Sequence, residues 1–383
     1  MQIETGLFKS ISMVFGSLTK SILDKLMIPC SRHYLRVNTM AIDRGELLDL
    51  LRSKYTEYIF NPDPFYDDAI YIIVKGPYNI PIVDKKIVVD YIAAESIILG
   101  APVYRPGIVK FDTFRADEEV NIITPNGLII ALARTTMDSK KVKQIHKGLV
   151  AKNIVSKYRL PPIREMPEYN AGLFYPQSLP SIAVTHILNP EAGETIVDCC
   201  AAPGGKTSHI MQYSRGLARL ISIDRSIPKI NKIIETITRL ELPKNYFLYL
   251  GDSRYLDSDL PMIKADKILI DPPCTALGIR PKLSFTKTYK DLLNNVAYQR
   301  QFFKPAYNIL KDNGILVYST CTITFHENEG NCLYIRDLGF ESLDVEVPYA
   351  DKVYLDNMVF YRFSPLNHDM NGYFIAVFKK ISS

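Results

Sequence analysis

From residue 168 onward, short apolar runs alternate with helical stretches, and that alternation leaves few folds open. Runs at 195–197, 220–223, 246–250, 267–270 and 315–318 read as strands separated by helices, the pattern of a mostly parallel, doubly wound sheet. A helix is expected over 291–310, and 359–362 with 373–378 reads as an edge hairpin. Ligands of such sheets bind outside the carboxyl ends of the strands, so the residues standing there decide the chemistry. Asp224 ends the second strand and Asp252 follows the third. Asp271-Pro272-Pro273-Cys274 follows the fourth, and Ser319-Thr320-Cys321-Thr322 the fifth. Two thiols and a carboxylate facing one crevice suit covalent chemistry on an electron-poor ring, in which a thiolate adds first and is eliminated later. The plainer alternative is two core thiols, since free cysteine is commonly buried.

The first strand runs into Asp198-Cys199-Cys200-Ala201-Ala202-Pro203-Gly204-Gly205-Lys206-Thr207. A turn of small residues lets a ligand approach the backbone, and the following helix offers free N–H groups. A phosphate-binding loop needs glycine five residues before the Gly-Lys-Thr. Cys200 stands there instead, and Gly-x-Gly-x-x-Gly is absent. Such a turn alone is compatible with a purely structural connection. With Asp224, Asp252 and Asp271 in register behind it, it points to a cofactor that carries a nucleoside.

A chain of 383 residues has room for two or three domains. Residues 1–83 mix helix and strand signals: 46–51 reads as an amphipathic helix and 71–74 as a strand. Residues 84–160 form a β-rich module, with a strand at 86–89, a helix at 91–99 capped by Asp90, and strands flanking Pro125-Asn126-Gly127. Pro161, Pro162 and Pro167 mark the exit into 161–383, the catalytic part. Between Arg134 and Arg164 stand nine Lys or Arg and one acid, Asp138, a surplus of eight in a chain of net charge +5. A local basic stripe is the footprint of a polyanion partner, although a solvated helix face looks the same on charge alone.

The six cysteines form no Cys-x-x-Cys pair and no zinc spacing, so no metal is expected. The first thirty residues lack the order of a signal sequence, and no apolar run has the length of a membrane span. The expectation is a cytoplasmic protein with free thiols and no membrane contact.

Taken together, Cys200 to Lys206, Asp271 to Cys274, Tyr318 to Thr322 and Glu327-Asn328-Glu329 resemble the Nop2/Sun-domain RNA cytosine-5 methyltransferases. Arg36-Val37-Asn38-Thr39 and Gln177 to Ser181 are similar to further motifs of that family. Ala93-Ala94-Glu95, Gly100-Ala101 and Arg105-Pro106-Gly107 resemble a PUA domain, whose insertion here is typical of one branch, the sixth Nop2/Sun member and its archaeal counterparts. The resemblance implies a Rossmann-like class I S-adenosylmethionine methyltransferase sheet, an α+β, RRM-like N-terminal part and an inserted PUA domain. It also implies an enzyme that forms 5-methylcytosine in the acceptor stem of tRNA, at position 72, with the PUA module holding the 3′-CCA end; a monomer is expected, although no residue pattern reads out the oligomeric state.

By the same resemblance Cys321 is the nucleophile, Cys274 assists release, Asp271 binds the cytosine edge and Lys206 lends its charge. S-adenosylmethionine is expected on Cys200, Ala201, Ala202, Pro203, Gly204, Gly205, Lys206, Asp224, Arg225, Asp252 and Asp271. Phosphates are expected on Lys140, Lys141, Lys143, Lys147, Lys152, Lys157, Arg159 and Arg105. Thr275 stands where serine is common, Ile279 where glutamine is common, and the doubled Cys199-Cys200 is unusual. An rRNA or other tRNA target, and a non-catalytic RNA-binding scaffold, are the competing readings.

Overall fold

The computed structural model describes residues 3–381. Its centre is a nine-stranded sheet formed by β1 (Thr195–Asp198), β2 (Arg219–Asp224), β3 (Tyr246–Leu250), β4 (Ala265–Ile270), β5 (Leu310–Thr320), β6 (Phe340–Ser342), β7 (Asp351–Leu355), β8 (Met358–Phe363) and β9 (Tyr373–Lys380). The order across the sheet is β3-β2-β1-β4-β5-β9-β8-β7, and β6 pairs with β9. The first five strands are parallel. Because successive side chains of a strand point to opposite faces, Val317 packs into one core and Leu316 and Tyr318 into the other. Full burial of such a side chain contributes about 1.5–3 kcal/mol relative to exposure.

Two expectations are corrected here. The pair 359–362 and 373–378 is antiparallel, but β9 lies inside the sheet against β5, and β7 forms that edge. All six residues from Tyr373 to Phe378 are buried, which is why the run is continuously apolar. The expected helix 291–310 is two helices, Tyr289–Arg300 and Phe303–Ile309. Pro305 has no N–H for the carbonyl of Gln301, and its ring clashes with that carbonyl, so the helix breaks there. The first of the two starts at a capping box, Thr288 with Asp291.

Residues 86–156 contain a separate six-stranded sheet with its own core. The Asp90 side chain accepts from the Ala93 N–H to cap the helix Tyr91–Ile97. Glu119–Ile123 and Ile129–Thr135 pair antiparallel across the Pro-Asn-Gly turn. A third sheet of four strands joins Arg32–Val37, Phe60–Pro62 and Ala69–Ile73 with Phe174–Pro176, so the chain returns to its N-terminal part after the module. That sheet is locked to the central one through Asp68. Its carboxylate accepts from His186 Nε2 at 2.9 Å and from His209 Nε2 at 2.6 Å.

Candidate active site

Parallel pairing of β4 with β5 sets Ile270 beside Tyr318, so the segments that follow both strands leave the sheet at the same end. Cys274 Sγ and Cys321 Sγ lie 3.4 Å apart, within hydrogen-bonding distance for sulfur. The shared hydrogen bond first, and burial second, push the Cys274 thiol well above its ordinary value. Either sulfur can be the donor in this contact, so it joins the two thiols without ranking them.

The carboxylate beside them is tightly held. Asp271 Oδ2 accepts from Lys206 Nζ at 2.6 Å, and Oδ1 accepts from Ser319 Oγ at 2.9 Å and Tyr373 OH at 3.3 Å. Burial works against a charge on Lys206, but Asp271 and then Tyr373 outweigh it, and its pKa is raised. The pair thus sits at the floor of the crevice as a fixed dipole.

Both thiol loops hang on one buried carboxylate that the motif reading gave no role. Glu327 accepts from the Thr275 N–H at 2.9 Å, from Thr275 Oγ1 at 2.5 Å, from Thr324 Oγ1 at 2.9 Å and from Gln299 Nε2 at 3.0 Å. Thr275 Oγ1 also meets Thr322 Oγ1 at 2.7 Å, which ties the loop of Cys274 to the loop of Cys321. A hydroxyl at 275 is what this bridge requires, so threonine serves where serine is common.

The turn after β1 is built for close approach. Gly204 has φ +99°, and a Cβ there would lie 3.1 Å from the Ile233 Cα. Arg36, fully buried, donates from Nη1 to the Gly205 carbonyl at 2.9 Å and from Nη2 to Ser208 Oγ at 2.8 Å. The N-terminal motif thereby braces the turn from outside the central sheet, a contact no local sequence signal announces. Below the turn, Thr207 Oγ1 donates to buried Asp198 at 2.7 Å, and burial raises that carboxyl to about 6.

Cys200, Ala202, Asp224, Arg225, Asp252, Asp271, Cys274 and Cys321 line one cavity of about 280 Å³. Ala201 is buried beneath it, Pro203 to Gly205 shape the turn, and Lys206 acts on it through Asp271. Lys229, Gly251 and Tyr298 also line it and carry no motif of their own. Asp224 accepts from the N–H groups of Ala202 at 3.3 Å and Arg225 at 2.8 Å. Asp252 is held by Arg254, whose Nη2 lies 2.6 Å from Oδ2, and that bond lowers its pKa. Acceptor carboxylates on one side of a glycine turn, with the thiols beyond, form a donor–acceptor set that fits a ribose and adenine.

The basic residues fall in two groups. Lys140, Lys141, Lys143, Lys147 and Lys152 are exposed, Lys157 is half-buried, and none makes an ion pair among the described residues. Arg159 and Arg105 have structural partners. Arg159 donates from Nε to Tyr58 OH at 3.2 Å. Arg105 donates to the carbonyls of Val142 and Ile108 at 2.8 and 3.2 Å.

Comparison with known proteins agrees with this geometry. Residues 185–379 match the family described as 16S rRNA methyltransferase RsmB/F, and residues 85–156 match the PUA domain. The tRNA (cytosine(72)-C(5))-methyltransferase of Pyrococcus horikoshii is 37% identical over 94% of this chain and 92% of its own length. The human tRNA (cytosine(72)-C(5))-methyltransferase NSUN6 is 30% identical over 81% of this chain and 73% of its own. The crystal structure of NSun6 from P. horikoshii with SFG, an S-adenosylmethionine analogue, superposes with a TM-score of 0.90 at 35% identity, covering 99% of this chain and 98% of that one. The chain belongs to the S-adenosylmethionine-dependent RNA cytosine-5 methyltransferases of the RsmB/F (Nop2/Sun) family, in the branch with an inserted PUA domain.

Proposed function

We propose that this chain methylates C5 of a cytosine in the acceptor stem of tRNA, at position 72, through a covalent bond between Cys321 and C6. The single observation that carries the chemistry is the pair of thiols 3.4 Å apart beside a fixed carboxylate. Cytosine C5 is a poor nucleophile until a thiolate adds at C6 and makes it enamine-like. The family resemblance assigns that bond to Cys321, and Cys274, 3.4 Å away, is within hydrogen-bonding distance of its sulfur. Asp271 receives the N3/N4 edge of the base, and Lys206 supplies the compensating charge. S-adenosylmethionine supplies the methyl group when bound. Asp224 and Asp252 hold the ribose and adenine, and the turn from Cys200 to Lys206, with Arg225, closes around the rest. After transfer the C5 proton is lost and the Cys321 thiol is eliminated, a release that Cys274 assists.

A paired cytosine cannot present C6 to a thiol, so the base must be unpaired or extruded. A helix end makes that easy, which favours the acceptor stem. The named activity of the two relatives and the inserted PUA module support tRNA over rRNA. Lys140, Lys141, Lys143, Lys147, Lys152 and Lys157 grip phosphates. The test is methyl transfer from labelled S-adenosylmethionine to unmodified tRNA with and without its 3′-CCA, followed by mapping of 5-methylcytosine. Label at an acceptor-end cytosine that disappears without CCA is expected. Label only on rRNA, or at another tRNA position, would discard the target.

A further inference from the structure

We propose that Cys274 and Cys321 are an oxidative modification site: a peroxide joins them in a reversible disulfide, and that bond stops methyl transfer while leaving the binding surfaces intact. Both thiols are free, and their sulfurs are 3.4 Å apart. Side-chain rotation covers the distance left to a disulfide bond of about 2 Å. The segments that carry them are already matched. Thr275 and Thr322, each next in sequence to one of the thiols, meet through their hydroxyls at 2.7 Å. The Gly278 N–H donates to the Cys321 carbonyl at 3.0 Å. The two loops are therefore pinned to one another around the sulfurs, and the bond can form without a backbone rearrangement.

An oxidant can also reach the pair. Both thiols are half-buried and line the crevice of about 280 Å³, a space much larger than a peroxide. Cys199 and Cys332 are buried. Cys30 lines a different cavity and donates to Asn371 Oδ1 at 3.6 Å. Cys200 shares the crevice, so it is the thiol that a test must tell apart from the pair.

The chemistry balances in two steps. The thiolate of one cysteine attacks a peroxide oxygen. The O–O bond breaks, the sulfur becomes a sulfenic acid, and the leaving oxygen takes a proton and departs as water. The second sulfur then attacks the sulfenic sulfur. The S–S bond forms, the S–O bond breaks, and the leaving hydroxide takes the thiol proton to become a second water. The peroxide is reduced by two electrons, one from each sulfur. Because the second thiol is already in contact, this capture competes well against further oxidation of the first. A dithiol reverses the bond by thiol–disulfide exchange, and in a reducing compartment such a bond is transient. While it lasts, neither sulfur can add to C6 or assist release. Asp224, and Asp252 in the clasp of Arg254, stand at other strand ends, and the exposed lysines belong to the inserted module. Cofactor and RNA therefore still bind. The loss of activity rests on the covalent mechanism proposed above; the cross-link itself does not.

The test treats full-length enzyme with hydrogen peroxide, blocks remaining thiols with iodoacetamide under denaturing conditions and maps the peptides by mass. Methyl transfer to tRNA is assayed before and after dithiothreitol. The expected result is a peptide joining Cys274 to Cys321 and a fall in kcat of about tenfold or more, reversed by dithiothreitol to within about twofold. Fluorescence anisotropy should show RNA affinity changed by less than about twofold, since the phosphate contacts are untouched. In Cys274→Ser and Cys321→Ser the resolving partner is gone, so in at least one of them the remaining thiol should end as a sulfinic or sulfonic acid that dithiothreitol does not reduce. Mass reads this without turnover, and the wild-type arm does not depend on either variant. No such peptide, a link through Cys200, a loss that dithiothreitol does not reverse, or no over-oxidation in either variant overturns the proposal. Wild-type enzyme that forms the link and still methylates sinks the covalent mechanism as well; one that needs Cys321 for turnover but forms no link sinks the switch alone.

Discussion

In the crevice, Lys206 lies 2.6 Å from Asp271, Arg254 clasps Asp252, and Glu327 receives four hydrogen bonds. On the PUA module, Lys140, Lys141, Lys143, Lys147 and Lys152 stand exposed with no carboxylate partner among the described residues. The first region fixes every charge before a ligand arrives, which is what electrostatic preorganisation requires. The second leaves its charges in water, where under the proposed function phosphates neutralise them and counterions are released. Catalysis and grip therefore place different demands on the same kinds of side chain, and substitutions should separate them.

The largest effects belong to the crevice. Cys321→Ala is expected to lower turnover by about a thousandfold or more and to leave no covalent RNA adduct on denaturing gels. Cys274→Ala should lose turnover yet accumulate the adduct; the reverse pattern would exchange the two roles. Asp271→Asn keeps the shape but breaks the pair with Lys206, and kcat should fall by about 10²–10³ with little change in RNA binding. Glu327→Gln cannot accept as many hydrogen bonds, and chemical denaturation should show a loss of about 1–3 kcal/mol together with a slower reaction. Neutralising Lys140, Lys141 and Lys143 to Gln should raise KM and leave kcat alone. It should also make the salt dependence shallower by about 0.9 per lost phosphate contact. Unchanged binding would return that stretch to a solvated face.

The smallest effect tests the lock between the N-terminal sheet and the central one. Burial depresses His209 to about 4, against about 6.5 in an unfolded chain. The folded state favours the neutral ring, so this stabilisation is present above pH 6.5 and is lost as pH falls from 6.5 towards 4. Urea unfolding at pH 7.5 and 5 should show the loss in the wild type and a smaller one in His209→Gln.

The sequence announced the parts of this molecule that depend on local pattern. Apolar runs marked the five parallel strands, and strand-end positions marked Asp224, Asp271, Cys274 and Cys321. Bonds between distant segments left no such trace. Arg36 to Gly205 spans three sheets' worth of chain, and Gln299 reaches Glu327 from a helix whose sequence gives its residues no such role. Asp68, His186 and His209 are scattered in sequence and converge only in the fold. Pro305 is a readable break in the stretch 291–310, and the expectation of one long helix passes over it.

The inserted module is fastened at two places. Its entry and exit run side by side, with Lys75 and Arg159 exchanging backbone hydrogen bonds of 3.3 and 2.8 Å. Its Glu95 accepts from the Leu283 N–H at 3.1 Å and lies 3.6 Å from Lys282, just beyond the loop of Cys274. Leu283 itself is buried in the module's core. The exposed lysines of the module and the two sulfurs are thus mounted on one bracket. Under the proposed function such a mount acts as a ruler: the span between an RNA end held by the module and the base that reaches the thiols is set by protein, and an RNA one nucleotide too long or too short presents the wrong base.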